Sequence, residues 1–202
     1  IMTGIGRTGK AFCVDNWEVV PDIICSAKAM SGGYSPVGGM FVRTPLAETL
    51  RKGSGSFIHG HTYNGNPVTA AAVAATMRFI RENNLFEKAA AMGEYLGKRM
   101  ERLLDNPIVG EIRGLGLMRG IELVRDKKTR EPFNPSAKAA LKLTQECLAR
   151  GLVVYPGTGQ ADGIAGDQFM VAPPLIVQKE EIDEIVNRLE EGLKATAEAL
   201  LP

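Results

Sequence analysis

The sequence predicts an α/β or α+β protein built in two lobes, because strand-like and helix-like segments alternate along it. Short apolar runs such as Ile23–Ala27 have strand character, and in longer segments apolar residues recur at helical spacing. With 202 residues, 45% hydrophobic and 23% charged, the chain is long and apolar enough to bury a core. Two positions are candidate boundaries between the lobes: the break at Asn83-Asn84 and the change of composition at Asn106-Pro107.

Charge and cysteine content argue against several classes of protein. The formal net charge of +1 provides no overall field for nucleic acid or an anionic membrane. No apolar stretch approaches the roughly 18 residues of a membrane-spanning helix. We therefore predict that the protein binds neither nucleic acid nor a membrane. The three cysteines are odd in number and far apart, which indicates reduced thiols in the cytoplasm rather than a disulfide framework.

The opening glycine-rich stretch matches phosphate-binding motifs only in part. Gly4–Lys10 fits G-x-G-x-x-G and the first seven positions of a P-loop. The dinucleotide motif needs a preceding strand and a following helix, and the P-loop needs Ser or Thr where Ala11 stands. A surface turn is favoured, and nucleotide binding through Lys10 is kept as an alternative. Ile1-Met2-Thr3 is not a signal peptide, and we expect a piece of a longer protein.

A lysine stands at the end of a predicted buried strand. Pro21-Asp22 opens the apolar run Ile23–Ala27, and Lys28 follows it, shortly before Gly32-Gly33. An ammonium group is almost never buried unpaired, because desolvation lowers its pKa. Lys28 is therefore a candidate amine nucleophile. The alternative is that its side chain simply extends from the strand end into water.

The next residues predict a strand, a short helix and a long helix. Pro36–Val42 has the pattern of a second buried strand, and Pro45–Leu50 that of a short helix. From Pro67, which suits a first helical turn, the apolar spacing stays helical as far as Ile80. A further helix follows the Asn83-Asn84 break, and its apolar stripe is interpreted as core packing.

A turn-forming segment precedes the long helix and contains two candidate ligands. Thr62, among backbone amides freed by the turn, is a candidate for holding an anion such as phosphate. His59 and His61 are spaced like a metal-binding pair, but no cysteine or carboxylate lies nearby to complete a site. We therefore predict no metal.

The C-terminal part alternates strands with two helices. Ile112–Val124 contains strand material with close-packing glycines. Ser136 is the predicted N-cap of a helix that ends at Arg150, before Gly151. The remaining predicted elements are two strands, a turn and a final amphipathic helix: Leu152–Tyr155, Phe169–Val171, Ala172–Leu175 and Ile182–Leu200.

Taken together, these stretches resemble the class III (ornithine/ω-amino-acid type) aminotransferases, which use pyridoxal phosphate. Five pieces carry the resemblance in the family's order: Gly4–Lys10, Pro21–Gly33, His61–Pro67, Arg113–Met118 and Ala172–Leu175. The resemblance implies an α/β protein with two parts. Residues 1–85 correspond to the C-terminal, incomplete part of the large domain of a fold-type I PLP-dependent transferase. Residues 86–202 correspond to its small α+β C-terminal domain.

By this resemblance, Lys28 holds pyridoxal phosphate as a Schiff base and moves the proton between the substrate's α-position and the cofactor. That role needs an amine that is neutral near pH 7, which a cationic cofactor and desolvation favour. Thr62 matches the threonine that reaches the cofactor phosphate from the neighbouring subunit, which implies a homodimer with a shared site. Arg113 matches a motif arginine without a firm role.

Two departures from the family bear on activity. The acid that pairs with the pyridine nitrogen, the main phosphate-binding turn and the stacking aromatic all lie ahead of the position of Ile1. Met170 stands where members that use 2-oxoglutarate often carry a carboxylate-binding arginine. We expect transamination of an amino acid or ω-amine with a 2-oxo acid, pyruvate being favoured, and no activity from the isolated chain. The alternatives are a non-catalytic fragment that cannot hold the cofactor and the P-loop-like module.

Overall fold

The computed structural model describes residues 1–201, and the chain divides into two compact units between Glu87 and Lys88. Each unit combines helices with an antiparallel sheet, so the mixed α/β class is confirmed. The sequence predicted a boundary after residue 85, and the assignment of the units to large and small domains stays a prediction. No helix among residues 1–201 is both long and apolar enough to cross a membrane.

The first unit contains a two-stranded ribbon and two helices. Its regular elements are β1 (Ile23–Ala27), β2 (Gly38–Val42), α1 (Thr44–Lys52) and α2 (Pro67–Glu82). The strands pair antiparallel, with Ala27 opposite Gly38. As predicted, Pro67 begins α2, and Asn66 is its N-cap, with a side chain that accepts hydrogen bonds from the amides of Val68 and Thr69.

Both strands of this ribbon are largely exposed, so the prediction that they are buried is wrong. Ile23 in β1 is 51% exposed and Phe41 in β2 is 47% exposed, whereas Ser26 is buried. Continuous apolar runs are typical of strands covered on both faces. Within residues 1–201 each strand has a single partner strand, and much of its apolar surface therefore faces solvent.

The second unit is organised around a four-stranded antiparallel sheet. After α3 (Leu85–Met100), its elements are β3 (Val109–Leu115), β4 (Met118–Leu123), α4 (Ala139–Ala149), β5 (Tyr155–Gly157), β6 (Asp167–Val171) and α5 (Lys179–Leu200). The strand order is β3-β4-β6-β5. Its core combines residues from the sheet and all three helices, among them Leu96, Ile121, Leu143, Phe169 and Leu189. Each such side chain stabilises the fold by roughly 1.5–3 kcal/mol through burial.

Two predicted elements in this unit begin later than expected. The helix predicted from Ser136 starts at Ala139, because Lys138 adopts a left-handed backbone with φ 52°. The buried Asp167 performs the capping instead, since its Oδ1 accepts a hydrogen bond from the amide of Ala140 at 3.1 Å. The strand predicted at Leu152–Tyr155 overlaps β5 only at Tyr155, where β5 begins. Gly151, with φ 72°, follows the helix as expected.

Arg119 joins the β3–β4 hairpin to α3. Its guanidinium donates hydrogen bonds to the carbonyls of Gly93 at 2.7 Å, Gly114 at 2.6 Å and Gly116 at 3.2 Å. Burial lowers the pKa of Arg119 from its ordinary value, because desolvation disfavours the charged form. Helix and hairpin come so close here that a Cβ added to Gly93 would lie 2.3 Å from the Cα of Gly116.

We expect Gly93→Ala to destabilise the second unit. Alanine normally stabilises a helix interior by about 1 kcal/mol relative to glycine. At Gly93 the added methyl group meets backbone that cannot rotate away, and overpacking of this kind costs about 1–3 kcal/mol or more. Denaturant unfolding compared with Glu94→Ala, at an exposed neighbouring position of α3, measures the effect. Equal or greater stability of Gly93→Ala would contradict the close approach.

A polar cluster connects α3 with α5. The Tyr95 hydroxyl donates to Asp183 Oδ1 at 2.9 Å, and Arg99 Nε donates to the same oxygen at 2.6 Å. The ammonium of Lys179 lies 5.5 Å from the centre of the Tyr95 ring. The hydrogen bond from Tyr95 and the charge and hydrogen bond of Arg99 hold the pKa of Asp183 below its ordinary value.

The lowered pKa of Asp183 predicts acid sensitivity. A carboxyl group with a depressed folded-state pKa contributes stability above its unfolded pKa, and this contribution is lost as pH falls through the folded pKa. We therefore expect Asp183→Asn to lower the melting temperature slightly at neutral pH. The melting temperature of this variant should then decrease less than that of the wild type as the pH is lowered. Melting curves from neutral pH to below about pH 4 test this. The control is Asp105→Asn, since Asp105 makes no ion pair in the described structure. The prediction would be refuted if acid lowered the melting temperatures of Asp183→Asn and the wild type by the same amount.

Candidate active site

Lys28 lies where β1 ends and begins a short 3-10 turn, Lys28–Ser31. Its φ of 49° falls in the left-handed region, which residues with a side chain rarely adopt. Such conformations cost about 1–3 kcal/mol and persist where the surrounding structure imposes them. The side chain is exposed, and its ammonium has no hydrogen-bond or ion-pair partner in residues 1–201. No described side chain therefore occupies the end of the Lys28 side chain.

A buried hydroxyl group without a partner lies two residues ahead of this lysine. Ser26 is 3% exposed, and its Oγ makes no hydrogen bond within the described part of the chain. A buried polar group left unpaired costs about 1–3 kcal/mol. This strand end thus offers a free amine and an unsatisfied hydroxyl, which suits it to a polar group that the described residues do not supply.

The second predicted site residue, Thr62, lies in the turn segment before α2. The segment is closed by backbone hydrogen bonds from Asn64 to His61 at 2.9 Å and from Asn66 to Tyr63 at 3.2 Å. Thr62 is exposed, and its hydroxyl has no partner in residues 1–201. No hydrogen bond, ion pair or ring contact of the described structure joins Thr62 to Lys28. Their relation across a dimer stays a prediction.

The two histidines of this segment contact each other edge to face. The ring centres of His59 and His61 are 5.3 Å apart, and Phe57 packs edge-on against His59. Within residues 1–201 no group of three or more histidine, cysteine or acidic side chains is placed to hold a metal ion.

The glycine-rich stretch at the start forms a turn, as predicted, but it is mostly buried, so its predicted place at the surface is wrong. Gly4, Ile5, Gly6, Thr8 and Gly9 are all buried. The amide of Ile5 donates to Ala11, that of Gly6 to Lys10, and that of Gly9 to Gly6. Amides used in this way cannot cradle a phosphate, and a 3-10 turn rather than an α-helix follows. Both findings count against a nucleotide-binding loop.

Arg113 takes part in a charge cluster that the sequence did not reveal. Its Nη1 donates to Glu111 Oε2 at 3.0 Å, and Arg130 donates to the same oxygen at 2.9 Å. Glu122 faces Glu111 across the β3–β4 pair, and Arg130 lies 3.5 Å from it. The hydrogen bond from Arg130 and the charge of Arg113 lower the pKa of Glu111. The strand pairing, which brings these side chains together, was the missing signal.

Met170 lies in the interior strand β6, opposite Tyr155 of β5 and Gly120 of β4. It is half-buried and alternates with the buried Phe169, so it lies on the face of β6 opposite the core. The loop between β5 and β6 is ordered by Asp162, whose Oδ1 accepts hydrogen bonds from two backbone amides of the loop. These bonds lower the pKa of Asp162.

Known proteins match this chain along nearly its whole length. The sequence profile of the family Aminotransferase class-III matches residues 1–193. An aminotransferase of Gibberella zeae is 43% identical over 198 residues, which cover 96% of this chain and 38% of that protein. A putrescine–pyruvate aminotransferase of Pseudomonas aeruginosa is 38% identical over 202 residues, which cover 100% of this chain and 42% of that protein.

A solved structure gives the same match in three dimensions. An amine transaminase from an uncultivated Pseudomonas species, in its PLP-bound form, superimposes with a TM-score of 0.88 at 32% identity. The match covers 96% of this chain and 43% of that one. The chain thus spans about two fifths of the length of the relatives it matches.

Proposed function

The chain belongs to the class-III aminotransferases, which depend on pyridoxal phosphate, and from this membership we propose that it takes part in transamination through Lys28. The reaction exchanges the amino group of an amino acid or ω-amine with a 2-oxo acid. The observation that carries the proposal is the free, exposed amine of Lys28 at the end of β1, in a backbone conformation that its surroundings must impose.

Each predicted site residue has a defined task in this proposal. Lys28 Nζ attaches pyridoxal phosphate covalently, and it takes and returns the proton of the substrate's α-carbon. Proton transfer by a positioned side chain contributes about 10²–10⁴ in rate. When bound, the cofactor supplies the electron sink. The Thr62 hydroxyl donates to the phosphate of a neighbouring subunit's cofactor, and the enzyme is a homodimer with shared sites.

We also assign the two units to parts of a fold-type I enzyme. The residues up to 85 form the end of the large, cofactor-binding domain, and residues 86–202 form the small domain. The exposed apolar ribbon supports the first assignment, because its strands are suited to lie inside a larger sheet.

Cys13, Cys25 and Cys147 are all unpaired, and burial raises the pKa of Cys147 to about 11. Free thiols support a cytoplasmic location.

We expect Lys28→Ala to abolish both covalent cofactor attachment and transamination. The experiment uses the native protein, which we define as the product of the complete open reading frame in which these 202 residues occur. Borohydride reduction followed by peptide mass spectrometry locates the attached cofactor, and activity should fall by at least about 10²-fold. Lys10→Ala, at another exposed lysine of the first unit, should retain both properties.

Near-normal turnover by Lys28→Ala would contradict the assignment. A nucleotide titration tests the other alternative, and magnesium-dependent binding that Lys10→Ala abolishes would favour the nucleotide-binding module. The separately purified 202-residue chain is the further comparison. We expect weak cofactor binding and no turnover from it, and clean turnover would show that these residues complete the site by themselves.

The substrate proposal is based on Met170. An arginine at this place binds a substrate carboxylate through two parallel hydrogen bonds, whereas a thioether has no donor. The loop between β5 and β6 contains no arginine either. We therefore propose pyruvate rather than 2-oxoglutarate as the amino acceptor, and the relative named putrescine–pyruvate aminotransferase supports this choice. The alternative is that an arginine elsewhere performs the same task.

We expect the native protein to show a higher kcat/KM for pyruvate than for 2-oxoglutarate. Met170→Arg should raise kcat/KM for 2-oxoglutarate by about tenfold or more, because a hydrogen bond to a charged group typically contributes enough free energy for a change of this size. Gln168→Arg is the matched control, because Gln168 lies two positions away on the same face of β6. A clearly higher kcat/KM for 2-oxoglutarate than for pyruvate in the wild type would show that the argument from Met170 is wrong.

A further inference from the structure

The turn that carries Lys28 is connected to α2 through Ser35, whose backbone carbonyl and side-chain hydroxyl each take part in one hydrogen bond. Ser31, the last residue of the turn, is completely buried, and its Oγ donates to the carbonyl of Ser35 at 2.5 Å. The Oγ of Ser35 lies 2.7 Å from the Oγ1 of Thr69 in the first turn of α2. Ser35 and Thr69 are both half-buried, so water competes only in part for this hydrogen bond.

The Lys28 turn needs such support. It contains four residues, and 3-10 turns of this length have poor hydrogen-bond geometry of their own. It is followed by Gly32 and Gly33, which both have positive φ values and restrict the backbone little. The strained conformation of Lys28 therefore depends on contacts from outside the turn.

The first turn of α2 is a suitable anchor. This helix has 16 residues, and the Asn66 side chain caps it by accepting a hydrogen bond from the amide of Thr69 at 3.1 Å. The turn segment that carries Thr62 leads directly into this cap. The hydroxyl pair thus joins the two segments that carry the proposed site residues.

We propose that Ser35 and Thr69 are positioning residues that hold the Lys28 turn in the orientation that cofactor attachment requires. The proposal rests on the proposed function of Lys28. A valine at position 69 would occupy nearly the same space as threonine without the hydroxyl group. Packing and hydrogen bonding are therefore separable at this position.

Hydrogen exchange of the native protein tests the link itself. Loss of one such hydrogen bond should accelerate exchange at residues 32–35 about fivefold in Thr69→Val, and Thr69→Ser should restore the wild-type rate. Thr49→Val is the control, because Thr49 Oγ1 donates only to Pro45 within α1. Adding Ser35→Ala to Thr69→Val should cause little further change. Equal exchange in Thr69→Val and Thr49→Val would overturn the proposal.

Cofactor labelling of the native protein tests the positioning role. Pyridoxal phosphate trapped with borohydride should mark Lys28 in preference to Lys52, an exposed lysine of the same unit. We expect this preference to fall about fivefold or more in Thr69→Val and to return in Thr69→Ser. Faster exchange with an unchanged preference would mean a merely structural link and overturn the proposal. A wild-type protein that labels Lys28 no faster than Lys52 would instead refute the proposed function, and this proposal with it.

Discussion

The arrangement of the first unit depends on one backbone constraint, which is the reversal of the chain directly after the last ladder pair of β1. Ala27 pairs with Gly38, and the next residue, Lys28, already has a left-handed conformation. The side chain of Lys28 therefore lies in solvent, while Met30 and Ser31, two and three residues later, are buried. The exposed amine and the buried turn beneath it are thus two consequences of the same reversal.

The two units are stabilised by different means. The second has a continuous apolar core, in which buried side chains from the sheet and the helices contact one another. The first has few buried apolar side chains, among them Ile5, Met30 and Ile80, and its turns are fixed largely by hydrogen bonds. Regions of this kind open locally at lower free energy than packed cores. A single hydroxyl pair therefore has more influence on the first unit than it would have in the second.

Sequence signals predicted elements whose causes are local. Pro67 in the first turn of α2 and Gly151 after α4 were predicted in this way, and so was the place of Lys28 directly after a strand. The cap that Asp167 provides for α4 comes from a residue 27 positions away, and no local pattern contains it. The same holds for the Ser35–Thr69 pair, 34 positions apart. The prediction that the ribbon is buried was wrong for a related reason. An apolar run indicates the surroundings to which a strand is suited, but whether both faces are covered depends on residues from outside the strand.

Arg119 shows how a residue next to a motif sets the geometry of the motif itself. The glycines of Arg113–Met118 let the hairpin approach α3, and the Arg119 guanidinium fixes it there through three backbone carbonyls, without a carboxylate among those partners. Burial lowers its pKa, but the guanidinium starts from so high a value that it stays charged and keeps all its donors. A lysine would present one ammonium group in place of a planar fork and would lose its charge more readily when desolvated. Arginine therefore suits this position better than lysine, and a motif that ends one residue earlier does not show it.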